Sequence, residues 1–283
     1  MDKLAIEWLI MLCFPNGGST ALAKLLLTAP GSIALHPNAE GQALVVAMRE
    51  RNNRWNPEAA LNYRQIRRRW VGEVRRRATV KEAAVTPLVI EKSPPNMCRY
   101  KAIVSMLDGM PVHLMAMTRE PYATCASWNY RYGRQHITRE WGGFGEVPSN
   151  EDAYFEGLAR LWLQRAAWLD AARPDTAAFI RYEDFAGHPA ETISLLAAKI
   201  PRLAGVDHQA AVEVKDYPKQ TILDMNANTV SRLTERQRKA IMRALSEKPE
   251  LVAKLGYATP FEQTYPLTDQ PAGLVAPEAV DAG

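Results

Sequence analysis
Near the start of the chain, "MLCFPNGGSTALAKLL" (Met11 to Leu26) passes from an apolar run through two glycines, a serine and a threonine into a second apolar pattern of helical spacing. Glycines accept positive φ and let the backbone approach a ligand closely. The N–H groups that follow, at the start of a helix, then form a nest for an anion. Pro15, Asn16, Gly17, Gly18, Ser19 and Thr20 are therefore candidate phosphate-binding residues; the alternative is a plain strand-to-helix turn with a serine cap. No GK[ST] follows the second glycine, so this is not the lysine-bearing nucleotide loop. Asn16 donates a hydrogen bond but brings no charge, and a cation must come from elsewhere. Three other stretches, "EKSPP", "TREP" and "RYEDF", begin where apolar runs stop, and they contribute Lys92, Arg119 and Tyr182.

For residues so far apart to meet, regular elements must carry them to one edge. Residues 6–14 read as a buried parallel strand, because an apolar run without alternation suits a strand covered on both faces. Ser19 to Thr28 follow as a helix stopped by Pro30 and Gly31. "SIAL" reads as a short strand, and helical patterns fill about 40–50 and 57–83. "TPLVIEKSPP", "PVHLMAMTR" and "TAAFIRYEDF" are further strands, separated by helices over 96–107, from Pro121 onward and over 150–172. In the last of these, Leu158, Leu161, Trp162, Arg165 and Leu169 recur at helical spacing. Helices dominate after the final strand. Alternating strands and helices predict an α/β fold: a P-loop-like, three-layer arrangement with a central, mostly parallel sheet flanked by helices. Ligands bind such sheets outside the carboxyl ends of the strands, where all four motifs stand.

Taken together, the motifs resemble those of sulfotransferases that use 3′-phosphoadenylyl sulfate (PAPS). "FPNGGSTALAKLL" is similar to that family's 5′-phosphosulfate loop, and "TREPYATCAS" to its 3′-phosphate motif, with Arg119 and Ser127 eight positions apart. "FIRYEDF" and "KLGY" resemble two further family segments, and the resemblance spans about residues 8–257 in order. It implies a sulfuryl transfer from PAPS to a hydroxyl or amine, in line and without a metal. It also implies that Lys92 stabilises the leaving phosphate, and that Arg119 and Ser127 hold the 3′-phosphate beside Tyr182. Many members carry a basic residue at the place of Asn16; Lys219 and Arg232 are candidates to replace its charge. One branch has a histidine base two residues after the lysine, where this chain has Pro94. The base is then Glu91, as in the heparan-type branch, or Glu40 of "HPNAEGQ", as in the protein-tyrosine branch, with His36 third. Consecutive residues on a strand face opposite sides, so Glu91 and Lys92 share a site only if the strand has ended.

The rest of the composition sets bounds. The 283 residues suit one domain over 1–260 with helical insertions at about 40–83 and 134–172, and a flexible tail over 261–283. A net charge of +4 favours anionic ligands but is no nucleic-acid signature. The three cysteines form neither a disulfide framework nor a CxxC zinc pattern. "IEWLIMLCF" is too short for a membrane span and lacks a cleavage pattern, so the expectation is a cytoplasmic protein. "RQIRRRWVGEVRRR" reads as a solvated basic helix face with Ile66, Trp70, Val71 and Val74 inward, or as a lip that attracts an acidic acceptor or a membrane surface. "SWNYRYGRQHITREWGGF" lines the acceptor pocket, forms a lid that bends at glycine, or simply packs the core. The acceptor is a small molecule or a carbohydrate, its identity unreadable, and a homodimer is left open. Rival readings are an ATP-dependent small-molecule kinase and a nucleotide-binding protein that has lost catalysis.

Overall fold
The segment "EWLIMLC" forms a strand because both of its faces find apolar cover. In this computed structural model, which describes residues 5–81, 86–141, 144, 146–214 and 217–261, it is β1 (Glu7–Cys13). Trp8, Ile10 and Leu12 enter one hydrophobic core; Leu9, Met11 and Cys13 enter a second on the other side. β2 (Ser32–Ala34), β3 (Leu88–Glu91), β4 (Val112–Thr118) and β5 (Ala178–Arg181) complete a five-stranded sheet in the order β2-β3-β1-β4-β5. Every pairing in it is parallel. This is the P-loop-like α/β architecture that the motif resemblance implies. Because β1 lies between β3 and β4, the chain leaves its carboxyl end at the switch point of the sheet, where a crevice opens.

Helices cover both faces. α1 (Ser19–Leu26) buries Leu22, Ala23, Leu25 and Leu26 in the second core. The short α2 (Val46–Arg49) and α3 (Arg51–Arg54) precede α4 (Tyr63–Lys81), and α5 (Tyr100–Met106) precedes α6 (Pro121–Glu140) and α7 (Glu151–Ala172). α4 to α7 pack on the first core through residues such as Ile66, Ile103, Trp128 and Leu158. α8 (Tyr182–Gly187) and α9 (Pro189–Lys199) return to the second core, joined there by the antiparallel pair β6 (Val212–Val214) and β7 (Tyr217–Gln220). α10 (Asn226–Val230), α11 (Glu235–Leu245) and α12 (Pro249–Lys254) close the described chain.

Two details differ from the sequence expectation, and a third agrees with it. Residues 40–50 are not one helix: a 3₁₀ turn at Gly41–Leu44 is followed by α2, since Val45 adopts an extended conformation between them. The β6–β7 pair interrupts a region expected to be helical. α6 bends at Gly133, whose φ of 69° and ψ of 158° break the helix at a glycine of the segment where bending was expected. The basic stretch in α4 does turn Ile66, Trp70 and Val74 inward, with Val71 half-buried. Residues 82–83 of the first expected insertion, and the tail from 262 on, lie outside the described residues. No helix among the described residues is long and apolar enough to cross a membrane.

Candidate active site
At the carboxyl end of β1 the backbone turns sharply. Asn16 has φ 52° and Gly18 φ 80°, both left-handed, and Gly18 then caps α1. Asparagine is one of the few side-chain-bearing residues that tolerate this region. A glycine is required at 18, because a Cβ there would stand 2.2 Å from Cδ2 of Tyr182. Gly17 N–H closes the turn onto the Phe14 carbonyl at 3.1 Å, while the N–H groups of Gly18, Ser19 and Thr20 have no backbone partner among the described residues. These are the orphan donors of a helix start, gathered at a strand end. Trp128 of α6 pins the loop from behind, its indole N–H donating to the Pro15 carbonyl at 2.7 Å.

The cation beside this loop is Lys92. Its side chain is 2% exposed, and its Nζ donates to Thr20 Oγ1 at 2.9 Å and pairs with Glu40 Oε1 at 2.6 Å. Glu40 is the more open partner at 25% exposure, and Gln42 Nε2 holds its other oxygen at 2.8 Å. The backbone fixes the pair: just past the end of β3, Lys92 N–H donates to the carbonyl of Ala39 at 2.6 Å. Glu91 goes the other way, as consecutive strand residues must. It is fully buried and accepts from Gly41 N–H (2.6 Å), Ser93 N–H (3.0 Å) and Asn96 Nδ2 (3.1 Å). Burial pushes its carboxyl up to about 7, against the hydrogen bonds from Ser93 and Gly41. Glu91 therefore builds the turn at 39–42 that presents Glu40.

Arg119, just past the end of β4, is 4% exposed and touches the loop directly. Nη1 donates to the Asn16 carbonyl at 2.6 Å, Nε to Asn226 Oδ1 at 2.9 Å, and Nη2 to Thr229 Oγ1 at 3.5 Å. Its guanidinium lies over the Tyr182 ring at 4.6 Å, the ring that also covers Gly18. Four strand ends thus meet at one place: the loop after β1, Lys92 after β3, Arg119 after β4 and Tyr182 after β5. The network extends outward. Asn226 Nδ2 donates to Glu183 Oε1 at 2.7 Å, and Tyr257 Oη donates to Glu183 Oε2 at 3.0 Å. Arg181 Nη1 donates to the Gly256 carbonyl at 3.0 Å, so "RYEDF" and "KLGY" touch each other at two points.

The remaining candidates lie apart from these contacts. Ser127 is half-buried on α6 and shares no hydrogen bond with Arg119 among the described residues. Asn16 Oδ1 accepts from Tyr132 Oη at 3.4 Å. His36 is half-buried, with Nδ1 accepting from Asn38 N–H at 3.3 Å. Lys219 is exposed on β7, and Arg232 is exposed with its guanidinium 4.0 Å from the Tyr130 ring. Reading the sequence missed Asn226 and Thr229. Their spacing of three on a helical segment, which aims both polar groups at one partner, is the signal that "NANTV" carried.

No protein-family model matches the sequence, and no curated protein matches it. In overall shape the chain is similar to the sulfotransferase domain of the olefin synthase from Synechococcus PCC 7002, at 16% identity over 86% of this chain and 96% of that one, with a TM-score of 0.46. It is similar to a sulfotransferase of Mycobacterium tuberculosis H37Rv at 13% identity, covering 84% and 71%, with a TM-score of 0.45. It is also similar to the sulfotransferase domain from the curacin biosynthetic pathway, at 16% identity, 92% and 100% coverage and a TM-score of 0.46.

Proposed function
We propose that this chain is a PAPS-dependent sulfotransferase acting on a hydroxyl or amine of a small-molecule or carbohydrate acceptor. One observation carries the reading: the buried Lys92 ammonium stands at Thr20 Oγ1, on the lip of a loop whose N–H groups at Gly18, Ser19 and Thr20 are free for an anion. Those donors fit the 5′ side of the nucleotide, with Lys92 supplying the charge that Asn16 lacks. PAPS, when bound, supplies the activated sulfuryl group. Arg119 has N–H groups beyond its three protein acceptors, and with Ser127 and Tyr182 it fits the 3′-phosphate.

The chemistry of the chain's own residues follows from their exposure. Lys92, held out of water, neutralises negative charge on the leaving phosphate oxygen, where a buried cation acts most strongly. Glu40, the more open carboxylate of the pair, takes the proton of the acceptor. Glu91, with both oxygens already accepting from N–H groups, positions Glu40. His36, Lys219 and Arg232 have no part in these steps.

Thermal shift with PAP, PAPS and ATP, followed by transfer of labelled sulfuryl from PAPS across an acceptor panel, tests the reading. PAP and PAPS should raise the melting temperature and ATP should not. Lys92→Ala should lower kcat by about 10²-fold or more while changing PAP affinity far less. Glu40→Gln should lower it by about 10²–10⁴-fold and fold normally. Stabilisation by ATP alone would make the protein a kinase. Tight PAP binding with no transfer to any acceptor would leave a nucleotide-binding protein.

A further inference from the structure
The most unusual group outside the proposed transfer machinery is Arg165 of α7. It is fully buried, and Nε, Nη1 and Nη2 all lack a hydrogen-bond partner among the described residues. Three indoles enclose its guanidinium: Trp55 at 4.1 Å, Trp141 at 4.7 Å and Trp128 at 5.0 Å. Indole faces attract a cation but accept none of its five N–H bonds in the way an oxygen does. Arg99 Nη2 donates to the carbonyls of Asn53, Arg54 and Asn56, but further donors nearby are left over among the described residues. The indole Nε1 atoms of Trp55 and Trp141 are also buried without a partner, as are Arg54 Nε and both Nε and Nη1 of Arg99. Burial, helped by the like charge of Arg54, lowers the Arg165 pKa to about 9, so the guanidinium stays charged at neutral pH.

Such a collection is costly for a protein to keep. A buried ion without a counter-ion is strongly unfavourable, and an apolar residue of similar volume would pack between the indoles without that cost. What these orphaned N–H groups share, among the described residues, is the absence of an oxygen acceptor. Their position also matters. Tyr132, whose Oη donates to Asn16 of the anion loop, packs edge-on against Trp141 at 4.7 Å. The charges of both Glu40 and Arg165 act on that tyrosine. The donor cluster therefore adjoins the side of the loop where Glu40 stands, and it comes nearest to solvent at the half-buried Arg54 and at Trp55.

We propose that Arg165, with Arg54, Arg99 and the indole N–H groups of Trp55 and Trp141, binds an oxyanion carried by the acceptor, making the acceptor an organic carboxylate, phosphate or sulfate. The word acceptor rests on the sulfotransferase reading; the anion site does not. A guanidinium fork flanked by N–H donors matches a planar or tetrahedral oxyanion, and the indole walls suit an apolar or aromatic body attached to it.

The test is titration calorimetry of the full chain with inorganic phosphate and with phenyl phosphate, with and without saturating PAP. PAP fills the nucleotide site, so the binding that remains reports the second one. Phenyl phosphate should bind the PAP complex more tightly than inorganic phosphate, and Arg165→Met should weaken it at least tenfold. That variant should melt at or above the wild-type temperature, since it removes an unpaired buried charge. Arg165→Lys, which keeps the charge and loses the fork, should weaken binding at least threefold, and it decides the matter if the methionine variant fails to fold. Equal affinities in wild type and variants, or no binding to the wild-type PAP complex, overturn the site. Binding of inorganic phosphate but not of phenyl phosphate overturns the acceptor and leaves a free-ion site. If PAP itself fails to bind, the sulfotransferase reading falls, yet the difference between wild type and Arg165→Met in the nucleotide-free protein still judges the anion site.

Discussion

Glu91 and Lys92 are neighbours in sequence with opposite surroundings, and each environment has a measurable consequence. Lys92 pairs with Glu40 at 2.6 Å, whereas Glu91 is buried without a cation partner and accepts from Gly41 N–H, Ser93 N–H and Asn96 Nδ2. Burial raises the Glu91 pKa from 4.5 to about 7. A carboxyl whose pKa is higher folded than unfolded binds more protons in the native state between those values. Its contribution to stability is therefore complete below about pH 4.5 and is lost as pH rises to about 7. Across that window the loss runs at about 1.4 kcal/mol per pH unit. Glu91→Gln cannot titrate. Urea denaturation at pH 5 and pH 8 should show the wild type losing stability relative to that variant as pH rises. Parallel behaviour at the two values would mean that the hydrogen bonds from Gly41 and Ser93 offset burial in full.

Among the elements, the turn from β1 into α1 depends most on a single residue. Gly18→Ala asks a side chain to adopt φ 80° and places its Cβ 2.2 Å from the Tyr182 ring. The left-handed backbone alone costs about 1–2 kcal/mol, and the ring, over which Arg119 lies, has to move as well. We expect a lower melting temperature and at least tenfold weaker PAP binding. Gly17→Ala, whose Cβ would meet the Phe14 carbonyl at 3.1 Å, should be milder on both counts. Equal effects would show that Tyr182 gives way easily.

How much of this was readable beforehand follows from the same elements. The four motifs were legible because a parallel sheet delivers its polar residues where apolar runs end, and runs such as "EWLIMLC" and "HLMAMT" mark those ends without structural help. The pairing of Lys92 with Glu40 was not legible. It depends on Ala39, at φ 56°, turning its carbonyl to Lys92 N–H across a separation of more than fifty residues, and no local pattern encodes that. Asn226 and Thr229 were hidden because α10 follows an unforeseen strand pair and carries no apolar periodicity. Arg165 was visible as one polar position on an otherwise apolar stripe, but the indoles around it come from two other places, Trp55 and the pair Trp128 and Trp141 on α6 and at its end.

At the scale of the whole molecule, the two faces of the sheet are held by apolar cores, and the charges outside them are mostly decoration. α11 lies on α7 through buried Ile241, Ala244 and Leu245, with Arg236 and Arg243 pairing with Asp152 at its rim. The arginines are 64% and 49% exposed, so their ion pairs contribute little. Replacing both by alanine should leave the denaturant midpoint almost unchanged, whereas Ile241→Ala should cost about 2–5 kcal/mol. Denaturant midpoints measured side by side check the ranking. A reversed order would mean that the helix is held by its charges.

The brace that Arg119 places on the Asn16 carbonyl also bears on how the protein is made. The glycine loop leaves the ribosome well before the residues that fix its shape: Arg119, then Trp128 and Tyr182, and last Asn226, which orients the arginine. Contacts of such long range form slowly, and domains assemble during translation from the N-terminus onward. The nascent chain therefore carries a loop of the right sequence without its braces until more than two hundred further residues have followed it.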